Sequence, residues 1–219
     1  MPAKPYPASK VILPAQTHPV ATTSNIRESL KIKLKNNAES RITFIMMNPA
    51  YADQHQSDDT VNSLIHFIYN RTIPIINIDE SLSHIGHLRV LNLFPIYNPN
   101  SAGLWRDLLQ FRSQRGERAF SKMLNGNNAT IRDVVEHHSD FVVLAWGMPV
   151  KFNISLPLYY TQIFEVQNIV RESQLPIFVP KCNGKPNLSK QQNPFHPIMK
   201  KMTGLVKVNI NQLNEIVVL

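Results

Sequence analysis

From Arg27 to Leu34 apolar and polar residues alternate, Leu30, Ile32 and Leu34 against Ser29, Lys31 and Lys33, which is the period-two pattern of a half-buried strand. Asn36–Ser40 reads as the turn into a more continuously apolar strand over Arg41–Met47. Val61, Leu64, Ile65 and Ile68 then fall on one helical face, with Asp58 or Asp59 placed to cap the helix. Arg89–Phe94 reads as a buried strand, Trp105–Leu109 as the start of a basic helix and Thr130–His138 as a further helix. Asp140–Gly147 follows as a buried strand ending in glycine, Tyr160–Glu172 as a helix and Pro176–Pro180 as a last short core strand. Strands alternating with helices predict an α/β fold, a three-layer α/β/α sandwich around a central, mainly parallel sheet of about four strands. Residues 1–24 are rich in Pro, Ala and Thr and lack periodicity, so they read as an extended, flexible arm preceding a single domain over 25–219.

Three strand ends carry polar residues into proline turns. Phe44–Met47 runs into Asn48-Pro49, Leu88–Leu91 into Asn92 and then Phe94-Pro95, and a third segment sets His196 between Pro194 and Pro197. Open α/β sheets bind ligands at the carboxyl ends of their strands, so three such tips predict one shared pocket. Taken singly, each has a plain structural reading: Asn-Pro is a common turn pair, Asn92 terminates a strand, His196 sits in a loop, and Asp58 and Asp59 cap a helix.

Composition narrows the chemistry. Cys182 is the only cysteine, which excludes an internal disulfide and a cysteine-held metal cluster, and no glycine-rich phosphate loop or dinucleotide fingerprint is present. No cofactor or metal is expected. No apolar run reaches membrane-span length and the start lacks a signal-peptide core, so a cytoplasmic protein without membrane association is expected. The formal charge of +8 and pI near 9.7 point to a polyanionic partner. Between Glu172 and Glu215 there is no acidic residue, while Lys181, Lys185, Lys190, Lys200, Lys201 and Lys207 all lie there, around His196. A second basic cluster, Arg106, Arg112, Arg115, Arg118 and Lys122, is offset only by Asp107 and Glu117. Phosphate binding accounts for this segregation better than a generally solvated surface.

The ordered set Met47-Asn48-Pro49-Ala50 with Ala52-Asp53, then Asp58-Asp59-Thr60, Val90–Pro95, Val142–Gly147 and His196-Pro197 resembles an uncharacterised family of bacterial and phage proteins over residues 27–200. The motif order is in turn similar to that of the uracil-DNA glycosylase superfamily, in its mismatch-specific thymine and uracil branch. That resemblance implies a glycosylase-like fold in which Asn48 places the attacking water and Asn92 reads the edge of an extruded pyrimidine. It also implies that His196 hydrogen-bonds a carbonyl of the leaving base, that Tyr51 and Phe94 adjoin the base, and that Met199 lies in the region of the wedge entering the vacated stack. The chain departs from the pattern in carrying Asp53, Asp58 and Asp59 after the first motif, and in lacking a serine directly after Pro197.

The residue types suit the same reaction on chemical grounds. Cleaving an N-glycosidic bond develops positive charge on the sugar and negative charge on the base, and an Asn carbonyl orients water without accepting its proton. Asp53 is the carboxylate that the sequence offers for the cation, and Lys181, Lys185, Lys190, Met199, Lys200 and Lys201 are the candidate DNA contacts. The expectation is therefore a monofunctional DNA glycosylase acting on duplex DNA without an obligate protein partner. Its substrate would be a modified pyrimidine such as the hydroxymethylated or glucosylated cytosine of phage DNA, in an antiviral role. Two rivals remain: a nucleoside or nucleotide N-glycosidase using the same pocket without the lysine tract, and a non-catalytic nucleic-acid-binding module on a degenerate glycosylase fold, which the intact Asn48 and His196 disfavour.

Overall fold

The computed structural model describes residues 3–19, 25–148, 155–198 and 201–219. In chain order the elements are β1 (Lys4–Pro5), β2 (Val11–His18), β3 (Ser29–Leu34), β4 (Ser40–Met46), β5 (Gln56–Ser57), α1 (Asp59–Ile68), β6 (Ile73–Ile75), β7 (Glu80–Leu82) and β8 (Ile85–Asn92). A short 3-10 turn (Ser101–Gly103) leads into α2 (Leu104–Arg115), followed by α3 (Glu117–His138), β9 (Phe141–Leu144), α4 (Leu156–Ser173), β10 (Ile177–Cys182), β11 (Met202–Ile210) and β12 (Ile216–Val218). The fold is α/β, with four helices and one large mixed sheet among the described residues, in which no helix is long and apolar enough to cross a membrane.

The sheet runs β2-β3-β8-β4-β9-β10-β11-β6-β7, with β12 added to β11. Only its centre is the parallel sheet expected from the sequence: β8, β4, β9 and β10 are mutually parallel neighbours. Antiparallel pairing extends it through β3 and β2 on one side and β11 on the other. In chain order the four central strands stand second, first, third and fourth across the sheet, so the winding direction reverses between β4 and β9. Right-handed crossovers running in opposite directions from one strand must deposit their helices on opposite faces. The packing follows this rule. The α1 residues Val61, Leu64, Ile65 and Ile68 pack with Ile42, Phe44, Val90 and Val143, whereas residues of α2, α3 and α4 pack with Ile45, Leu91, Val142 and Val179.

The arm expected at the N terminus is part of this architecture over its described residues. β2 pairs with β3 as the edge strand, β1 pairs with β5, and Tyr6, Val11 and Ala15 are buried. Pro14 hid the strand: it has no amide to donate and lies within the register shift between Ile12 and Gln16, an irregularity that an edge strand tolerates. Residues 1–2 and 20–24 of the arm lie outside the described residues. The Thr130–His138 helix is the last part of the longer α3, and β11, inside the lysine-rich tract, was not anticipated. Both faces of β11 are buried, Leu205 against one and Val206 and Val208 against the other, so it shows no clean alternation.

One close approach fixes the turn entering β4. A Cβ on Gly86 would lie 1.6 Å from the Ala38 carbonyl oxygen, so strand β8 and the β3–β4 turn meet only because this residue has no side chain. Gly86→Ala should therefore destabilise the fold by about 1–3 kcal/mol, the range for overpacking a dense interior. Urea denaturation of the variant checks this, and an unchanged midpoint would show that the turn yields without cost.

Candidate functional site

The carboxyl ends of β4 and β9, where the winding reverses, open onto a cavity of about 230 Å³. Five separated pieces of chain build it: Met46–Asn48 at the end of β4, Asp58–Val61 at the start of α1, Asn98-Pro99 after β8, Trp146 after β9, and His196 from the loop before β11. Arg27, Ala50, Met148 and Ile198 complete the lining.

Asn48 is held by its amide nitrogen. Nδ2 donates to the Asn98 carbonyl at 2.8 Å and to the Pro49 carbonyl at 3.0 Å, and Oδ1 accepts no hydrogen bond among the described residues. Asn98 is itself fixed, its backbone N–H donating to Pro49 O at 2.8 Å and its side chain bonded to Asp107 of α2. The Asn48 carbonyl is thus left as the acceptor in a half-buried position at the cavity wall.

Asp58, 3% exposed, is the carboxylate of the site. One oxygen caps α1 by accepting from Val61 N–H at 2.9 Å, and the other accepts from Tyr51 N–H at 3.3 Å and Ala52 N–H at 3.2 Å. Three amides and the positive end of the α1 dipole support a buried anion there. Arg27, 1% exposed, lines the same cavity without forming an ion pair with Asp58; it donates through Nη1 to the Ala52 carbonyl at 2.5 Å and lies 5.6 Å from the centre of the Tyr97 ring. Burial lowers the Arg27 pKa, and Tyr97, Asp58 and Tyr6 oppose that shift. Its Nε has no hydrogen-bond partner among the described residues.

His196 reaches the cavity from a braced loop. Asn193 accepts from Trp146 Nε1 at 3.2 Å, and Tyr159 donates its hydroxyl to Gly147 O at 2.5 Å, which locks the end of β9 to the segment carrying His196. Gly147 has φ +71°, which favours glycine for the turn, and a Cβ there would lie a tight 3.0 Å from His196 Cβ. Burial pushes the His196 imidazole down to about 4, against a smaller upward pull from Asp58, so the ring is neutral at pH 7. Ile198 N–H lies 3.4 Å from Nδ1, which makes Nδ1 the acceptor and leaves the proton on Nε2.

Asn48 and His196, both singled out in the sequence, therefore meet. Asn92 lies at the same end of the sheet, in register with Met46 and fully buried, but it does not line the cavity, and its side-chain amide has no partner among the described residues. Three other assignments are corrected. Asp53 accepts from His55 N–H and Gln56 N–H and so shapes its own turn, leaving the carboxylate position to Asp58. Phe94 is fully buried in the core beneath α2–α4. Tyr51 is 37% exposed and lies outside the lining, where Trp146 supplies the aromatic wall.

The lysine tract divides. Lys181 donates internally to Lys185 O and Asn187 Oδ1, and Lys185 sits 5.8 Å over the Phe195 ring. Lys190 and Lys201 are exposed, and Met199 and Lys200 lie outside the described residues. Arg27 and Asp58 were legible only in part: Asp58 read as a cap, which it is, while nothing in the local pattern marks Arg27 as buried.

The geometry defines an α/β domain with a single-ring-sized cavity carrying an oriented amide, a buried carboxylate and a neutral histidine. The chain belongs to the family described as "Protein of unknown function (DUF1643)", whose model matches residues 27–198. No curated protein and no solved structure matches it.

The lowered His196 pKa has a testable consequence. Between the ordinary histidine pKa of about 6.5 and the folded value near 4, the unfolded chain binds the proton and the folded chain does not, so this contribution is full above pH 6.5 and is lost as pH falls toward 4. Denaturation of wild type and His196→Gln across that window should show the wild type losing more stability on acidification. Parallel pH profiles for the two proteins would contradict a half-buried imidazole held neutral.

Proposed function

We propose that the protein is a monofunctional DNA glycosylase that receives an extruded modified pyrimidine in this cavity and hydrolyses its N-glycosidic bond. The observation that carries the reading is the convergence of Asn48, Asp58 and His196, from three distant segments, on one cavity at the strand-order reversal. Helices on both faces of the parallel centre support a three-layer, uracil-DNA-glycosylase-like arrangement, elaborated by antiparallel strands at its edges.

Volume bears on the substrate. About 150 Å³ is enough to hold a benzene ring, so a cavity of about 230 Å³ takes one six-membered ring with a small substituent. A pyrimidine with a hydroxymethyl group meets that limit, and a glucosylated base would leave its sugar outside. Arg27 and Asp58 offer a donor and an acceptor to the edge of such a base. In this reading the site acts on hydroxymethylated cytosine of viral DNA, in the cytoplasm, as a defence enzyme.

In the reaction, water held by Asn48 Oδ1 attacks C1′ while the C1′–N bond breaks and its electron pair moves onto the base. The amide cannot take the water's proton, and Asp58 receives it while facing the cationic sugar. His196 Nε2–H donates to the base carbonyl on which negative charge collects, and a neutral imidazole does this without protonating the base outright. No lysine lines the cavity among the described residues, which favours hydrolysis over Schiff-base chemistry.

The test is incubation with oligonucleotides carrying cytosine, hydroxymethylcytosine or uracil, scoring alkali-labile sites and released base by mass spectrometry. Asn48→Ala and Asp58→Asn should each abolish most release with DNA binding retained, Asn at 58 preserving the helix cap. His196→Ala should slow release about a hundredfold to a thousandfold, the usual effect of removing one such donor. Wild-type release by the Asn48→Ala, His196→Ala double variant would sink the mechanism.

A further inference from the structure

A second cavity, of about 320 Å³, adjoins the first, and Ile198 lines both. Phe67 of α1 and Pro197 contribute buried apolar surface to it, while Arg71, just beyond α1, His66 and Lys201 are exposed around it. No carboxylate lines this cavity, and neither Arg71 nor Lys201 forms an ion pair among the described residues. It differs in this from Arg106 and Arg112 of the second basic cluster. Arg106 contacts Asp107, and Arg112 pairs with Glu117. Burial lowers the His66 pKa, and Lys10 and Arg71 lower it further.

An occupant whose base fills the first cavity has its sugar at the mouth and its phosphates on either side. The neighbouring cavity across Ile198 then offers apolar surface for a deoxyribose and two uncompensated cations for a phosphodiester. We propose that this second cavity is the subsite for the sugar-phosphate backbone flanking the extruded nucleotide, with Arg71 and Lys201 as its phosphate ligands. The proposal rests on the glycosylase reading for what enters the first cavity. It commits the substrate to a strand, since a free nucleoside carries nothing into the second.

The experiment is fluorescence anisotropy with a labelled single-stranded oligodeoxynucleotide over a range of salt concentrations. Each phosphate contact on a single strand contributes about 0.7 to the slope of log affinity against log salt, so the Arg71→Glu, Lys201→Glu variant should bind more weakly and flatten the slope by about 1.4. Arg118→Glu, Lys122→Glu makes the same charge change on α3, which packs against the sheet face opposite α1, and should leave the slope near wild type. An unchanged slope in the first variant, or equal flattening in the second, overturns the subsite. So does deoxycytidine monophosphate binding as tightly as the oligonucleotide with the same dependence on Arg71 and Lys201. The two proposals fail separately: base release by wild type with an unaffected slope removes only the subsite, and the predicted slope change without base release removes only the glycosylase reading.

Discussion

A buried carboxylate needs hydrogen bonds, and the Asp58 carboxylate obtains them by drawing three parts of the chain together. Its oxygens accept from the first turn of α1 and from the amides of Tyr51 and Ala52, and the Ala52 carbonyl accepts in turn from Arg27. Helix start, loop after β4 and the segment leading into β3 are thereby tied at one point. Leaving a buried hydrogen-bonding group unsatisfied costs about 1–3 kcal/mol, so this arrangement constrains its surroundings. Tyr6 reinforces it from the N-terminal segment by donating to the Asp53 carbonyl at 2.7 Å.

The cavity sits where the topology leaves room for it. The β4–β8 crossover carries α1 to one face, and the crossovers through β9 and β10 carry α3 and α4 to the other, so chains leaving β4 and β9 diverge. Rigid parallel strands deliver Asn48 and Trp146 to the edges of that gap. The remaining wall comes from a loop that cannot position itself, and the Asn193, Tyr159 and Gly147 contacts hold His196 against the end of β9. Burial that makes the imidazole a poor base makes it a good neutral donor, which is the property required opposite a developing anion.

Sequence periodicity located the central elements well. Strands β3, β4, β8, β9 and β10, helix α1 and much of α4 follow from alternation, continuous apolar runs and caps, because burial on one or two faces imposes those patterns locally. The proline turns after β4 and around His196 belong to segments that line one cavity, the first at a strand end and the second in the loop between β10 and β11. Pairing partners were not legible: β11 and the edge strand β2 carry weak or interrupted patterns, and their antiparallel pairing makes the sheet mixed.

Among the site residues, the sequence by itself determined that Asn48 and His196 stand at chain turns and that Asp58 caps a helix. Only the tertiary structure decided that Asp58, rather than Asp53, faces the cavity, that Phe94 points into the core, and that Arg27 is buried beside Tyr97. It likewise decided that Lys181 bonds within its own loop while Arg71 and Lys201 border one cavity. The physical reason is one of range. Caps, turns and periodicity depend on neighbours a few residues away, whereas the orientation of a carboxylate or guanidinium depends on which distant amides and rings the sheet order brings beside it.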